Sequence, residues 1–187
     1  MVPPRAFSFQ DQFLRFFIFG PTFDWLTFNF DTDPSRLAPT AKFLNATDPD
    51  LSVFEANGGK LIMWQGWSDP NLTPFRPVRY FLATVDAFGD RDDEDTARFL
   101  RLFMAPGVHH CGGGPGPNTF DSLTALENWV EGGVAPDRII ASNSAGGVVD
   151  RTRPLCPYPQ EARYVGIGSI DDAVNFVCTR RQDDDGQ

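Results

Sequence analysis

Asp69 and three residues of one later loop are of the types that carry out acid–base and nucleophilic chemistry. Asp69 lies in "GWSDP", and the only two histidines of the 187-residue chain, His109 and His110, stand directly before Cys111 in "VHHCGGG". A carboxylate that orients an imidazole, which in turn moves a proton, is the acid–base pair of serine hydrolases. The pair works only where its two loops meet, so the elements that carry the loops decide whether this chemistry is possible.

Both loops follow short apolar segments that are typical of buried strands. Residues 60–66, "KLIMWQG", precede Asp69, and "ARFLRLFMAP" precedes the histidines. Helices are predicted after each loop, the first beginning near Arg76 and the second over residues 118–131. This order of strand, Asp loop, helix, strand, His loop and helix is typical of a parallel α/β sheet. Because sites in such sheets lie at the carboxyl ends of the strands, we expect Asp69 and the two histidines, His109 and His110, at the same rim.

The remaining segments predict further short elements and no second domain. The aromatic spacing of residues 7–19 predicts an amphipathic helix, whereas the prolines within residues 20–40 predict extended, irregular chain. Two short strands are predicted after Gly133, and a final short helix is predicted with Ser169 as its N-cap. Since no internal repeat and no long linker is visible, residues 1–187 are expected to form a single domain.

Composition and charge argue against two classes of partner. The net charge is −9, from 16 basic and 25 acidic residues, and there is no dense basic patch, so nucleic acid is not an expected partner. No apolar run approaches the roughly 20 residues that a bilayer-spanning helix needs, so no membrane partner is expected. The first residues also lack the basic and apolar regions of a signal peptide.

The nucleophile that would complete a serine-hydrolase triad is not where it is expected. In α/β-hydrolases the triad residues follow the chain order serine, acid, histidine. No serine before Asp69 lies in a Gly-x-Ser-x-Gly pattern or follows a credible strand, and the later serines come after the histidines. The earlier serines are Ser8, Ser35, Ser52 and Ser68, and the later ones include Ser142, Ser144 and Ser169. The pattern therefore indicates an acid and a base without their nucleophile.

Simpler interpretations of these loops stay open on the residues alone. Asp69 before Pro70 is also a common turn sequence, and a single histidine after a strand is often a hydrogen-bonded loop residue. Adjacent histidines rarely present both rings to one ion, which argues against a zinc site in "HHC". The glycines that follow lack the lysine and the serine or threonine of a phosphate loop, so a tight passage of the backbone is the better interpretation.

Several long motifs resemble one known family. The segments "GGKLIMWQGWSDP", "FLRLFMAPGVHHCGGGPGPNTFD", "LENWVEGGVAPDRIIAS" and "RPLCPYPQEARYVG" resemble the tannase and feruloyl esterase family of α/β-hydrolases, in the family order and with near-family spacing. The likeness is strongest over residues 45–178. It implies an α/β fold and, more narrowly, the C-terminal part of an α/β-hydrolase domain that lacks the nucleophile elbow and the lid.

The resemblance also implies roles for individual residues. Asp69 matches the triad acid, and His110, directly before the cysteine, matches the triad base. Cys111 resembles one half of a disulfide whose other half lies beside the missing serine. Cys156 and Cys178 resemble a second, C-terminal disulfide of the family.

Two positions depart from the family pattern, and the resemblance leaves some sites unassigned. Gln65 stands where many members have a histidine, so a local hydrogen bond is expected to differ, and His109 is an additional histidine whose role is not assigned. Substrate-binding residues are not identified, because they would come largely from the missing lid. No cofactor and no metal site are expected, since a family calcium site would also lie in that lid.

The function implied is serine-dependent hydrolysis of phenolic carboxylic esters, such as feruloyl or galloyl esters. This chain alone is expected to be inactive, and its expected partners are the small phenolic ester and the missing N-terminal half of the enzyme. Two alternatives are a non-catalytic pseudoenzyme or binding module, and a subunit that completes its site with a serine-bearing chain. The parent protein is expected to be secreted or periplasmic, in agreement with paired cysteines.

Overall fold

The computed structural model describes residues 7–90 and 93–180, which fall into two compact units, 1–48 and 49–187. The first unit is helical. Helix α1, Phe7–Phe13, continues directly into a π-helix, Leu14–Phe19, so the helix predicted over residues 7–19 is confirmed as helical backbone. No helix in the described part of the chain is long and apolar enough to cross a bilayer.

The extended chain predicted for residues 20–40 is wrong in large part. Two 3-10 helices, Trp25–Thr27 and Asp33–Leu37, occupy this segment, and helix α2, Ala38–Leu44, begins within it. Two of the three prolines that suggested irregular chain, Pro34 and Pro39, lie in the first turn of the second 3-10 helix and of α2. At such positions the missing N–H costs nothing, because the first N–H groups of a helix have no partner within it.

The second unit is built on a parallel pair of strands. After the short helix α3, Ser52–Ala56, strand β1, Leu61–Gly66, is followed by helix α4, Phe75–Ala87, and by strand β2, Leu100–Ala105. The two strands pair in parallel over their full length, so the predicted order of strand, loop, helix and strand is confirmed. Because Gly66 faces Ala105, both strands end on one line.

Side chains alternate between the two faces of this pair. On one face Leu61 and Met63 pack with Leu100, Leu102 and residues of α4. On the other face Phe103 and Ala105 of β2 form a second cluster, to which Ile62 and Trp64 add their side chains. That cluster also takes residues from helix α5, Ser122–Gly132, and from the strands that follow it. Alternate residues of each strand therefore pack into different clusters, as expected for strands that are covered on both faces.

Helix α5 begins and ends as its sequence dictates. The Asp121 side chain accepts a hydrogen bond from the backbone N–H of Thr124 at 2.9 Å, which caps the first turn. At the other end Gly133 adopts the left-handed conformation, with φ of 70°. The helix predicted over residues 118–131 is therefore confirmed, with a later start at Ser122.

Two hairpins follow α5. Strands β3, Ile139–Ala145, and β4, Val148–Leu155, are antiparallel and are joined by a glycine pair, Gly146 and Gly147, with φ of 59° and 82°. Positive φ at both central residues is typical of the two-residue turn that matches the strand twist. Strands β5, Glu161–Tyr164, and β6, Phe176–Thr179, form the second hairpin.

The final helix predicted from Ser169 is wrong. A single 3-10 turn, Ala173–Asn175, capped by the side chain of Asp172, leads directly into strand β6. Phe176 and Val177 are aromatic and β-branched, and they pair with β5, so tertiary pairing outweighs the short helical pattern. The predicted disulfide between Cys156 and Cys178 is present, with a Cα–Cα distance of 5.5 Å.

The outer edge of β2 is covered by the chain that follows β4. Phe103 forms an isolated antiparallel bridge with Pro157, and the backbone N–H of Tyr158 donates to the carbonyl oxygen of Leu102 at 2.7 Å. Within the described residues, β1 pairs on one side only, with β2.

Substitution of Gly66 by alanine is predicted to destabilise the second unit. A Cβ at this position would overlap the carbonyl oxygen of Val108, which is backbone and cannot rotate away. We expect a loss of about 1–3 kcal/mol in the free energy of unfolding, measured by urea denaturation followed by tryptophan fluorescence. Gly132→Ala is the control, because Val134 at 4.0 Å is the nearest contact that its Cβ would make. Equal stability of Gly66→Ala and the wild-type chain would contradict the close approach.

Candidate active site

The loop after β1 lies against the loop after β2. The backbone N–H of Trp67 donates to the carbonyl oxygen of Ala105 at 2.9 Å, and that of Ser68 donates to Val108 at 3.1 Å. Asp69 closes the turn, because its N–H donates to the carbonyl oxygen of Gly66 at 3.3 Å. These backbone hydrogen bonds by themselves fix the position of Asp69 relative to the histidine loop.

The glycines after the histidines allow the loop to fold closely onto itself. His109 donates its backbone N–H to Gly113 at 3.1 Å, and Gly116 donates to Gly107 at 3.1 Å. A Cβ on Gly116 would overlap the carbonyl oxygen of Pro106, and Gly114 has a φ of 90°. The interpretation of the glycine run as a tight backbone passage is therefore confirmed.

Asp69 and His110, which are 41 residues apart in the chain, meet at this rim. His110 Nδ1 lies 2.8 Å from Asp69 Oδ2. The Asp69 side chain is fully buried, whereas the His110 side chain is 41% exposed. Because an ionised carboxylate can only accept, Nδ1 carries the proton in this hydrogen bond.

Three further donors surround the Asp69 carboxylate. The backbone N–H groups of Asn71 and Leu72 donate to Oδ1 at 2.8 and 3.0 Å, and Gln65 Nε2 donates to Oδ2 at 2.6 Å. Burial alone raises the pKa of Asp69, but the hydrogen bonds from Leu72, His110, Asn71 and Gln65 together outweigh it. They hold the pKa of this carboxyl well below its usual range, so Asp69 is an anion at neutral pH.

This arrangement can orient a general base. With the proton on Nδ1, the lone pair of Nε2 of the neutral ring is available to accept a proton from a nucleophile. Within residues 7–90 and 93–180, Nε2 makes no hydrogen bond. The buried carboxylate lies where it stabilises the imidazolium that forms when Nε2 takes up a proton.

The other predicted site residues are not part of this contact. His109 is exposed, and Cys111 is exposed with a free thiol and a positive φ of 59°. The cysteines Cys156 and Cys178 are bonded to each other near the second hairpin. Among the described residues, no group of three histidine, cysteine, aspartate or glutamate side chains is arranged to hold a metal ion.

The two backbone donors to Asp69 were not predicted from the sequence. Their signal is the Asp-Pro-Asn sequence, because an aspartate before a turn commonly accepts from the N–H two or three residues later. The hydrogen bond from Gln65 was expected to differ from that of the family, but its partner was not predicted. An amide on the core-facing side of an apolar strand is a signal that a buried polar partner lies nearby.

Comparison with known proteins places the chain in a family. The family model described as tannase and feruloyl esterase matches residues 4–179. The mono(2-hydroxyethyl) terephthalate hydrolase of Piscinibacter sakaiensis is 43% identical over 164 residues, which cover 82% of this chain and 26% of that protein. The tannase of Aspergillus oryzae is 33% identical over 136 residues, which cover 68% of this chain and 23% of that protein.

Solved structures agree with this placement. The crystal structure of feruloyl esterase B from Aspergillus oryzae superposes on this chain with a TM-score of 0.80 at 27% sequence identity. The match covers 90% of this chain and 36% of the feruloyl esterase chain. The chain thus spans between about a quarter and a third of the length of these relatives. Its described folding pattern, helices around a parallel strand pair, is that of an α/β-hydrolase-like protein. The chain belongs to the tannase and feruloyl esterase family.

Proposed function

We propose that this chain supplies the acid and the base of a serine-dependent carboxylic-ester hydrolase. One observation carries the proposal: the buried, ionised Asp69 carboxylate lies 2.8 Å from Nδ1 of His110, whose side chain is 41% exposed. A turn aspartate alone would explain the two backbone donors, but neither the burial of its side chain nor the side-chain donors Gln65 and His110. This geometry favours the hydrolase over the alternative of a non-catalytic binding module.

In the proposed reaction His110 moves the protons and Asp69 stays ionised. Nε2 of His110 takes the proton of a serine hydroxyl as the serine oxygen bonds to the ester carbon. The imidazolium then gives this proton to the departing alcohol, and the acyl group remains on the serine. Water then bonds to the acyl carbon as it loses a proton to Nε2, and Nε2 returns that proton to the serine oxygen as the bond between serine and acyl group breaks, which releases the acid and the free serine. The lowered pKa of Asp69 supports its role as a fixed negative charge that holds the imidazolium.

The proposed substrates are esters of aromatic acids, such as feruloyl or galloyl esters. Support comes from the relatives, which are named as a feruloyl esterase, a tannase and a hydrolase of mono(2-hydroxyethyl) terephthalate. Feruloyl, galloyl and terephthaloyl groups each carry a flat aromatic ring conjugated with the carbonyl of the scissile ester. The proposed compartment is the secreted or periplasmic one, in which a disulfide such as Cys156–Cys178 persists.

The proposed nucleophile is a serine outside this chain, in a preceding segment or on a partner chain. The exposed ring of His110 and the exposed thiol of Cys111 stand side by side at the rim, open to such a segment. In this proposal Cys111 forms a disulfide with a cysteine beside the serine. That bond would tie the nucleophile to the base, which suits chemistry that depends on close positioning.

Ester hydrolysis is predicted to require a serine-bearing segment in addition to this chain. The chain alone is expected not to hydrolyse methyl ferulate, and co-expression with a serine-bearing segment of the family is expected to give turnover that a serine-directed phosphonate blocks. In that complex Asp69→Asn should lower kcat by about 10³–10⁴-fold, because the ring loses its preferred tautomer. Asp86→Asn, at an exposed carboxylate of α4, is the matched control. Phosphonate-sensitive turnover by the chain alone, or full activity of Asp69→Asn, would contradict the proposal.

The number of reactive thiols is predicted to differ between the chain alone and its complex with the serine-bearing segment. Under denaturing, non-reducing conditions one thiol per chain, that of Cys111, should react with a chromogenic disulfide reagent, and two more should react after reduction. In the complex with the serine-bearing segment, the Cys111 thiol should no longer react. The variant Cys111→Ser should show no reactive thiol before reduction. Three reactive thiols before reduction would rule out the C-terminal disulfide, and a reactive Cys111 in the active complex would rule out the proposed bond.

A further inference from the structure

Gln65 is a half-buried amide in a strand that is otherwise apolar. Met63 and Leu61, two and four positions before it, pack into the hydrophobic cluster that includes residues of α4. Side chains at alternate positions of a strand share one face, so Gln65 lies on this core-facing side. A polar group there is costly unless it finds a hydrogen-bond partner. Its partner is the buried carboxylate of Asp69, at 2.6 Å.

The chemistry of this contact allows one orientation of the amide. Oε1 of Gln65 and the oxygens of ionised Asp69 are all acceptors, so the nitrogen must face the carboxylate. Nε2 of Gln65 donates to Oδ2, the same oxygen that accepts Nδ1–H of His110. The other oxygen, Oδ1, is taken by the backbone N–H groups of Asn71 and Leu72. Gln65 is thus the side chain that holds the oxygen used by His110.

We propose that Gln65 is a positioning residue: it pins Oδ2 of Asp69 toward Nδ1 of His110 and so keeps the ring in the tautomer that leaves Nε2 free to accept a proton. The torsion of an aspartate carboxylate about Cβ–Cγ is broad and roughly twofold. The two backbone donors hold Oδ1, and the amide removes the remaining freedom of Oδ2. This inference rests on the catalytic role proposed for Asp69 and His110, and Gln65 itself does not touch the substrate.

The electrostatics agree with this assignment. Gln65 is among the donors that outweigh burial and lower the pKa of Asp69. A neutral amide keeps its N–H at every pH at which the protein is folded, so the donor is always present. An apolar side chain at the same position would leave Oδ2 with His110 as its only side-chain donor.

The test reads the tautomer of His110 in the 15N-labelled chain and needs no activity. Gln65→Leu removes the amide at similar volume, and Gln65→Met removes it while keeping an unbranched side chain of similar length. Gln160→Leu is the control, since the described hydrogen bond of Gln160 is through its backbone N–H to Pro157. Long-range 1H–15N spectra are recorded at increasing pH until the imidazole signals no longer change, so that the neutral ring is observed.

In both Gln65 variants the ratio of Nδ1–H to Nε2–H tautomer at His110 should fall about tenfold, the effect of one lost hydrogen bond. The signals of His109 and the spectrum of Gln160→Leu should not change. An unchanged ratio in the Gln65 variants, or an equal fall in Gln160→Leu, overturns the inference. If Gln65→Leu does not fold, Gln65→Met carries the test alone.

Activity separates this inference from the proposed function. In the complex with a serine-bearing segment, both Gln65 variants should lower kcat about tenfold with KM unchanged, because the substrate does not contact the amide. A changed tautomer ratio without turnover in any variant, the unsubstituted chain included, overturns the proposed function and leaves the positioning role supported. An unchanged ratio in an active complex overturns the positioning role alone.

Discussion

The backbone pairing of β1 with β2 runs in step from Leu61 and Leu100 to Gly66 and Ala105, and the site depends on it. Because the last residues of the two strands pair with each other, the loops that follow them begin next to each other at the same edge of the sheet. They can then contact each other because Gly66 has no side chain to separate them from Val108. A shift of either strand by one residue would turn Gln65 to the opposite face and move Asp69 away from His110.

The burial of the Asp69 carboxylate is the main energetic cost of this arrangement. A buried charge is strongly unfavourable unless hydrogen bonds replace the lost water. Four donors do so here: two backbone N–H groups of its own turn, the amide of β1 and the ring of the histidine loop. No arginine or lysine is among these four donors, so the negative charge is left to act on the imidazole. The turn, the strand and the loop are therefore coupled through a single carboxylate.

Much of the fold follows from local signals in the sequence. The apolar run of residues 60–66 and the capped pattern that begins at Asp121 give a strand and a helix whose bounds differ little from those observed. The meeting of Asp69 and His110 follows from the rule that sites lie at the carboxyl ends of parallel strands. These predictions succeed because periodicity, capping and strand order are properties of short segments.

The elements that were not predicted depend on distant or competing contacts. The chain around Phe176 forms a strand because β5 lies next to it, which no pattern within "SIDDAVNFVC" reveals. Pro34 and Pro39 were read as helix breakers, although each lies where a helix begins. The hydrogen bond of Gln65 joins residues four apart, yet it depends on the turn that returns Asp69 toward its own strand. Such contacts are fixed by tertiary geometry rather than by composition.

The chain after β4 has a consequence for how the parallel sheet can grow. Pro157 sits beside β2 and has no N–H to offer a further strand, and the N–H of Tyr158 is already used by Leu102. This edge is therefore closed to strand addition. In the described residues β1 leaves its outer edge unpaired. Any strand that extends the sheet must therefore pair with β1, because the segment after β4 already covers the outer edge of β2.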